Sequence, residues 1–577
     1  QAVCDEIPRP PSTIAARDAK QAIGRDLDLI ILKALRKEPE RRYGTVLQFS
    51  DDLQRYVDGR PVLAAPDSAA YRARKFARRH WRILSVAAVA IVAVLIGTTT
   101  ALWQTRVARR ERAMAQQRFE MVRQLADSVV FDLNDTLEGV PGSLQARRVV
   151  VSKAFAYLDQ LGQQVGSDVS LTERMAAAYV RIGDSQGNPY HPNVGDPNGA
   201  LTSYARALEL YTRTATGEPG GPGRLGMVTA REGLGDIHWS IGDFEPALNE
   251  YREAQSIAER LASEEPNRVD FELELANSVY KIGQTLLRMG DTVGAAPSVQ
   301  ESVNIVDRSL REHPDNIDLL RALARGYGKL GDVASQQGNP RQALDYYRQT
   351  VTLLETTATR SPRRESTHRL VLFHLRISES LAGLGRWTEA EVEARRALEL
   401  VRPTIQAEAG DTQAGSDQGY AYLTLGDVLA GQLRDTEALE AYRMAVDTYR
   451  TALAANPRYI ENRRELGFSL AGIGNLALRR RRASDALSSY LEALKELEPP
   501  DIRPQASDVL AGVYLHAGDA QKQLDGHAPD VLAWYKKSEA AWEERSTRQP
   551  LTPAQQILQR EAIDKANGRP STGAERH

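Results

Sequence analysis

The residues best equipped for chemistry sit in one polar run, Gly187-Asn188-Pro189-Tyr190-His191-Pro192-Asn193-Val194-Gly195-Asp196. His191 and Asp196 are metal-ligand types, but one imidazole and one carboxylate are too few to hold an ion. Asn188, Tyr190, His191 and Asp196 together offer amide, ring and charge on a loop, which suits contact with a partner or ligand. The same run also reads as a plain structural turn. A second candidate, Gly221-Pro222-Gly223-Arg224-Leu225-Gly226, has the spacing of a Gly-rich phosphate loop. Such a loop needs a strand before it and a helix after it. Here Gly217-Glu218-Pro219-Gly220 precedes it, so it reads as a flexible linker. Arg479 to Arg482 reads as a solvated corner or a hold for an acidic segment. The one cysteine, Cys4, excludes an internal disulfide and a cysteine-based zinc site. HExxH, paired catalytic carboxylates and a nucleophile elbow are missing. A net charge of −2 gives no basic field for nucleic acid. The chemistry left is that of binding.

The elements that would present such residues are legible from spacing. Gly235, Gly283, Gly331, Ser378, Gly426, Gly474 and Gly518 follow one another at intervals of 48, 48, 47, 48, 48 and 44 residues. A recurrence this regular marks one supersecondary unit copied into a solenoid. Ala247, Ala295, Ala343, Ala390, Ala438 and Ala486 lie 12 residues after their anchors, and Tyr251, Tyr347, Tyr442 and Tyr490 lie 4 further on. Gly242, Gly290, Gly338 and Gly385 come seven after the anchors, where they end a helix. Pro266, Pro314, Pro362 and Pro457 stop the second helix of each unit.

This pattern resembles the tetratricopeptide repeat, in which a small residue on helix A faces an alanine on helix B and an aromatic fills the next layer. The resemblance implies an all-α solenoid of helical hairpins, with packing anchors Gly235, Ala247, Tyr251, Gly283, Ala295, Gly331, Ala343, Tyr347, Gly426, Ala438, Tyr442, Gly474, Ala486 and Tyr490. The usual period is about 34, so each helix should be about two turns longer here. About eight units fit, the first beginning near Leu171 with 17 rather than 12 residues between Gly183 and Ala200.

Ahead of the array, Ile83 to Leu102 carries no charge and is bracketed by Trp81 and Trp103. Twenty such residues suit a bilayer-spanning helix. Arg72, Arg74, Lys75, Arg78, Arg79 and Arg82 lie before it, and Arg106, Arg109, Arg110, Arg112 and Arg118 after it, a balance that leaves orientation open. Beyond it, Val122, Leu125, Val129, Leu133 and Thr136 fit a short two-helix seam or a helix lying on the first repeat. A second helix from Leu144 to about Leu161 carries Val149, Val150, Phe155, Leu158 and Leu161 toward the array.

Before the span, Leu29, Leu32 and Leu35 form a short helix that Pro39 interrupts, and Val46, Phe49, Leu53 and Tyr56 form a second apolar stripe. Leu35-Arg36-Lys37-Glu38-Pro39-Glu40-Arg41-Arg42 is similar to the late C-lobe motif of bacterial serine/threonine protein kinases. Arg41 and Arg42 also read as solvated surface charges. The resemblance implies structural roles for Leu35, Pro39 and Arg42, the last half-buried and separated from an upstream Ala-Pro-Glu glutamate. Val-Ala-Ile-Lys, His-Arg-Asp, Asp-Phe-Gly and Ala-Pro-Glu motifs do not occur in the chain, so no cofactor is expected here; ATP and magnesium would belong to a kinase core upstream. Residue 1 is Gln, and the start reads as a truncation.

The expected domains are a kinase remnant (1–62), a basic juxtamembrane segment (63–82), a membrane helix (83–103), a helical connector (104–165), the repeat array (171–550) and a disordered polar tail (551–577). The kinase resemblance implies a single-pass protein of the bacterial inner membrane. Its N-terminal side would be cytoplasmic, where ATP is, and its array extracytoplasmic. The array would bind protein or peptide ligands and signal through a homodimer. Two alternatives stand beside this: a membrane-anchored scaffold or adaptor with no kinase, and a soluble adaptor in which 83–102 is a core helix.

Overall fold

The computed structural model describes residues 8–14, 23–79, 81–82, 85–86, 89–90, 92–107, 144–162, 169–191, 193–215, 222–362, 364–407, 412–455, 459–500, 502–503, 506–525, 529–548, 551 and 553–569. All regular structure among them is helical. The chain forms two units, Gln1–Asp127 and Ser128–His577.

In the first unit, a one-turn helix (Pro11–Ile14), α1 (Arg25–Ala34), a 3-10 turn (Pro39–Arg41), α2 (Val46–Val57) and α3 (Ala69–Arg79) follow in order. Pro39 opens the turn, where its fixed φ fits and its missing N–H is not needed. Thr45 caps α2 by accepting from the Gln48 N–H at 3.2 Å. Asp52, fully buried, ties the next segment down. Its carboxylate accepts from the Tyr43 hydroxyl (2.7 Å) and the N–H groups of Leu63 (2.5 Å) and Ala64 (2.9 Å). Two expectations are corrected here. Arg42 is exposed rather than half-buried and braces the carbonyls of Arg36 and Lys37. Val46, expected in the apolar stripe, is exposed with Leu35, Leu47 and Val57.

Residues 92–107 are helical. Among the described residues, no helix is long and apolar enough to cross a membrane. Ile83, Leu84, Ala87, Ala88 and Ile91 of the expected span lie outside the described residues. So does the connector from 108 to 143, including Val122, Leu125, Val129, Leu133 and Thr136.

The second unit begins with α4 (Leu144–Gly162). Val151 and Ala154 are its buried apolar residues among those described, and Arg147 is buried beside them in sequence. Phe155 packs edge-on against Tyr179 at 5.7 Å, and Val149 points outward, contrary to expectation. Eight helical hairpins follow among the described residues. They are α5 (Val169–Gly187) with α6 (Pro197–Thr214), α7 (Pro222–Ile241) with α8 (Phe244–Glu264), α9 (Val269–Arg288) with α10 (Thr292–Glu312), and α11 (Ile317–Gln336) with α12 (Pro340–Arg360). The second four are α13 (Arg364–Gly383) with α14 (Trp387–Ala407), α15 (Thr412–Gly431) with α16 (Asp435–Ala455), α17 (Ile460–Arg479) with α18 (Ala483–Leu497), and α19 (Ser507–Leu524) with α20 (Pro529–Arg548). A further helix, α21 (Pro553–Ala566), buries Ala562 and Ala566, where a disordered tail was expected.

Glycine ends the first helices as the spacing requires. Gly242, Gly290, Gly338 and Gly385 have φ between 72° and 88°. The Asp243 N–H reaches back to the His238 carbonyl at 2.9 Å, closing the helix end. In the sixth and seventh hairpins this position is Leu433 (φ 62°) and Arg481 (φ 58°), which carry a Cβ into the left-handed region.

The first helix of each hairpin packs on its partner, on the preceding hairpin and on the first helix of the next hairpin. First helices therefore line the concave side and second helices the convex side. One junction departs from this: α11 and α13 scarcely touch. Five residues before the anchor, hairpins two to seven carry Ala230, Ser278, Gly326, Phe373, Ala421 and Ser469. The Phe373 ring sits on Gly328 of α11 and 5.8 Å from the Tyr347 ring, a wedge where the other hairpins have a small residue.

Candidate interaction face on the concave side of the repeats

Each hairpin is locked by three residues. A Cβ on Gly235, Gly331, Gly426 or Gly474 would lie 2.5, 2.3, 2.6 or 2.5 Å from the rings of Tyr251, Tyr347, Tyr442 and Tyr490. The glycines are thus seats for tyrosine rings. The partner alanines, Ala247, Ala295, Ala343, Ala438 and Ala486, are fully buried. Gly283 seats Val299 instead, and Ser378 is tolerated because Ala394 replaces the ring. Its hydroxyl then donates to the Ala390 carbonyl at 2.7 Å.

The third member escaped the sequence reading. Each tyrosine hydroxyl donates to the residue after the anchor: Tyr251 to Asp236 (2.8 Å), Tyr347 to Asp332 (3.0 Å), Tyr442 to Asp427 (2.6 Å) and Tyr490 to Asn475 (2.7 Å). The signal was present as a recurring Gly-Asp at 183–184, 235–236, 331–332, 426–427 and 518–519. These carboxylates face the concave side, and a cation joins most of them. Lys281 Nζ lies 2.7 Å from Asp236 and 3.2 Å from Glu232, Lys329 lies 2.9 Å from Asp332, and Lys565 of α21 lies 2.7 Å from Asp519. Burial pushes the Lys281 ammonium down, but Asp236 and Glu232 push it up further and hold it charged.

Asp427 has no cation within ion-pair distance among the described residues, because Gly472 stands where the next helix would supply one, seated against Tyr442. Asp427 is exposed to solvent, and the hydrogen bond it accepts from Tyr442 is partly buried. Desolvation, with Glu379 and Glu465 nearby, raises its carboxyl to about 7 against the single opposing bond from Tyr442.

The polar run after Gly187 divides between structure and surface. Asn188 is buried and donates to the Tyr204 hydroxyl at 2.8 Å, while Asp196 caps α6 by accepting from the Gly199 N–H at 3.0 Å. Arg148 of α4 grips the Val194 carbonyl at 3.1 Å. Held this way, the loop projects Tyr190 over the concave face. Its ring stacks on Trp239 at 6.4 Å, Lys281 Nζ lies 5.6 Å from its centroid, and its hydroxyl donates to Gln284 at 3.4 Å. Arg288 covers the Trp239 ring at 5.4 Å. His191 is exposed and 3.9 Å from Asp184. Tyr190 therefore joins the first hairpin to the second and third, and His191 stays at the edge.

Two further expectations change. Gly223 and Gly226 belong to α7, where a Cβ at Gly226 would meet the Tyr211 ring at 2.3 Å, so they are packing positions of a helix rather than a linker. Arg479 and Arg480 both bind Asp435 of the preceding hairpin, fastening the corner rather than merely solvating it.

A sequence profile of the tetratricopeptide repeat matches residues 228–260, which carry the Gly235–Ala247–Tyr251 anchors. No curated protein matches the chain. Among solved structures the chain is similar to the apo form of RapI, at 12% identity over 73% of this chain and 99% of that one, with a TM-score of 0.45. It is similar to a signal-transduction ATPase with numerous domains and a tetratricopeptide repeat sensor, PH0952 from Pyrococcus horikoshii, at 12% identity over 68% and 52%, with a TM-score of 0.41. It is also similar to BtubC from P. vanneervenii, at 20% identity over 45% and 91%, with a TM-score of 0.35. The second unit is a tetratricopeptide-repeat array, an architecture of protein interaction.

Proposed function

We propose that this chain is the non-catalytic C-terminal portion of a membrane-anchored serine/threonine kinase whose array binds protein or peptide partners and relays that binding across the membrane. The observation that carries the binding half is the concave wall, where the Tyr190, Trp239 and Arg288 cluster of the first three hairpins is followed by lysine–carboxylate pairs at Asp236, Asp332 and Asp519. An aromatic cluster continued by paired charges along the array suits an extended chain laid along it. The kinase half is supported by the motif through Leu35, Pro39 and Arg42. Exposure of Leu35, Val46, Leu47 and Val57, types a complete domain tends to cover, also supports it. For the anchor, Val92, Leu95, Ile96 and Leu102 face outward. The hydroxyls of Thr98, Thr99 and Thr100 donate to the carbonyls of Val94, Leu95 and Ile96 at 2.9, 2.7 and 2.8 Å, as apolar surroundings demand.

In this reading ATP and magnesium bind a core upstream of Gln1, the first unit is cytoplasmic, the array lies outside the bacterial inner membrane, and two copies pair. The closed polar network around Asp52 favours a second reading, a membrane-anchored scaffold or adaptor with no kinase, since it leaves that unit's buried carboxylate fully satisfied. The gene upstream of residue 1 separates the two: an in-frame Gly-rich loop, catalytic lysine and His-Arg-Asp motif are expected, and a nearby start codon removes the kinase. Binding is tested with a photo-crosslinker in the full chain. Capture of a partner is expected from position 288 on the concave side and not from Glu259 on the convex side; equal capture from both overturns the groove.

A further inference from the structure

Beside the junction that Phe373 wedges, an open cavity of about 340 Å³ lies between the third, fourth and fifth hairpins. Glu274, Asn277, Arg321, Arg325, Ser366 and Arg369 line it. Arg321 is already occupied, donating to the carbonyl and hydroxyl of Ser361 at 3.0 Å and pairing with Asp318 at 3.2 Å. Arg325 is half-buried and rests 5.8 Å from the Tyr280 ring, with no carboxylate of the described residues at ion-pair distance. Glu274 is half-buried too, and its carboxylate accepts no hydrogen bond and meets no cation at that distance among the described residues. One unpaired guanidinium and one unpaired carboxyl, the latter pushed up to about 7 by burial and by Glu232, thus line the same space without closing on each other. A ligand ammonium would favour the charged form of Glu274, and a ligand carboxylate would pair the half-buried Arg325.

We infer that this cavity receives a zwitterionic group, with a ligand carboxylate on Arg325 and a ligand ammonium on Glu274. A cavity of this volume is at the small end of ligand sites and accommodates one or two amino-acid residues. Neither a simple anion nor a simple cation satisfies both walls, which sets this site apart from a basic anion pocket. Two sources carry the chemistry: a free amino acid or dipeptide, and adjacent acidic and basic side chains of a longer peptide. The second deepens the peptide-binding reading and rests on it; the first does not.

Titration calorimetry on the full chain in detergent tests this with four probes. They are free Ala-Ala, acetyl-Ala-Ala, Ala-Ala amide, and a twelve-residue peptide blocked at both ends with a central Lys-Glu. The zwitterionic dipeptide or the blocked peptide is expected to bind at least about ten-fold tighter than either single-charge dipeptide, and whichever binds names the source. Glu274→Gln should erase the advantage over acetyl-Ala-Ala, and Arg325→Gln the advantage over the amide, each with an unchanged unfolding midpoint. Equal affinity for zwitterion and acetylated dipeptide overturns the inference, as does wild-type discrimination in both variants or no binding of the zwitterionic probes. Partner capture at position 288 that persists through such a failure leaves the peptide-binding array standing.

Discussion

A single atom decides whether a hairpin of this array closes. Gly331→Ser places a Cβ 2.3 Å from the Tyr347 ring, and the ring has nowhere to move because it is itself buried. We expect a loss of about 1–3 kcal/mol in denaturant unfolding, the usual range for overpacking. Tyr347→Ala in the same chain should recover part of that loss, because Ser378 and Ala394 already coexist in the fifth hairpin. Additive effects in that double-mutant cycle would sink the idea. The carboxylates behind the rings give a pH signature. Asp427 rises from its ordinary 3.8 to about 7, so the folded state holds its proton more tightly than the unfolded chain does. Its contribution to stability is then full below pH 4 and is lost as pH climbs toward 7. Asp427→Asn should flatten the fall in melting temperature across that window while keeping an acceptor for Tyr442. An unchanged slope would rule out Asp427 as the titrating group. The glycines, alanines and tyrosines were legible because steric need leaves a fixed spacing. The acids were not, because a lone aspartate in a helix looks like surface until its partner ring is known to be buried.

At the level of elements, the helix ends are where the copies differ. Leu433 and Arg481 occupy the left-handed position that glycine fills in earlier hairpins. Leu433 is exposed and loses no packing on removal. Leu433→Gly should therefore stabilise the array by about 1 kcal/mol, the relief of a Cβ in that region; a lower midpoint in thermal unfolding would contradict it. Such exceptions are visible in sequence only once the register is known, as is the first hairpin's insertion. There, two residues singled out as contacts, Asn188 and Asp196, turn out to build the loop, and only Tyr190 reaches the concave wall. Helix α21 was missed for a different reason. Its sequence is polar on most sides, and its docking depends on Lys565 meeting Asp519 and on two alanines, a pattern too thin to read unaided.

For the molecule as a whole, stability in such an array is shared between neighbours, so one altered junction redirects everything beyond it. Phe373 makes that junction. Phe373→Ala should let α11 and α13 approach, shrinking the radius of gyration of the full chain in small-angle scattering. It should also cost about 3–5 kcal/mol, as large-to-small core changes do. An unchanged radius with the expected loss of stability would show that the wedge packs but does not set the curve. If it does set the curve, the open junction works as a hinge between two stiff arms of four hairpins each. A guest in its cleft then acts as a strut, and a sub-ångström difference in guest size would be magnified along the arms into a large swing of the ends. The array would report what it holds by its bend, and a mechanical gauge of that kind needs no rearrangement inside any single hairpin.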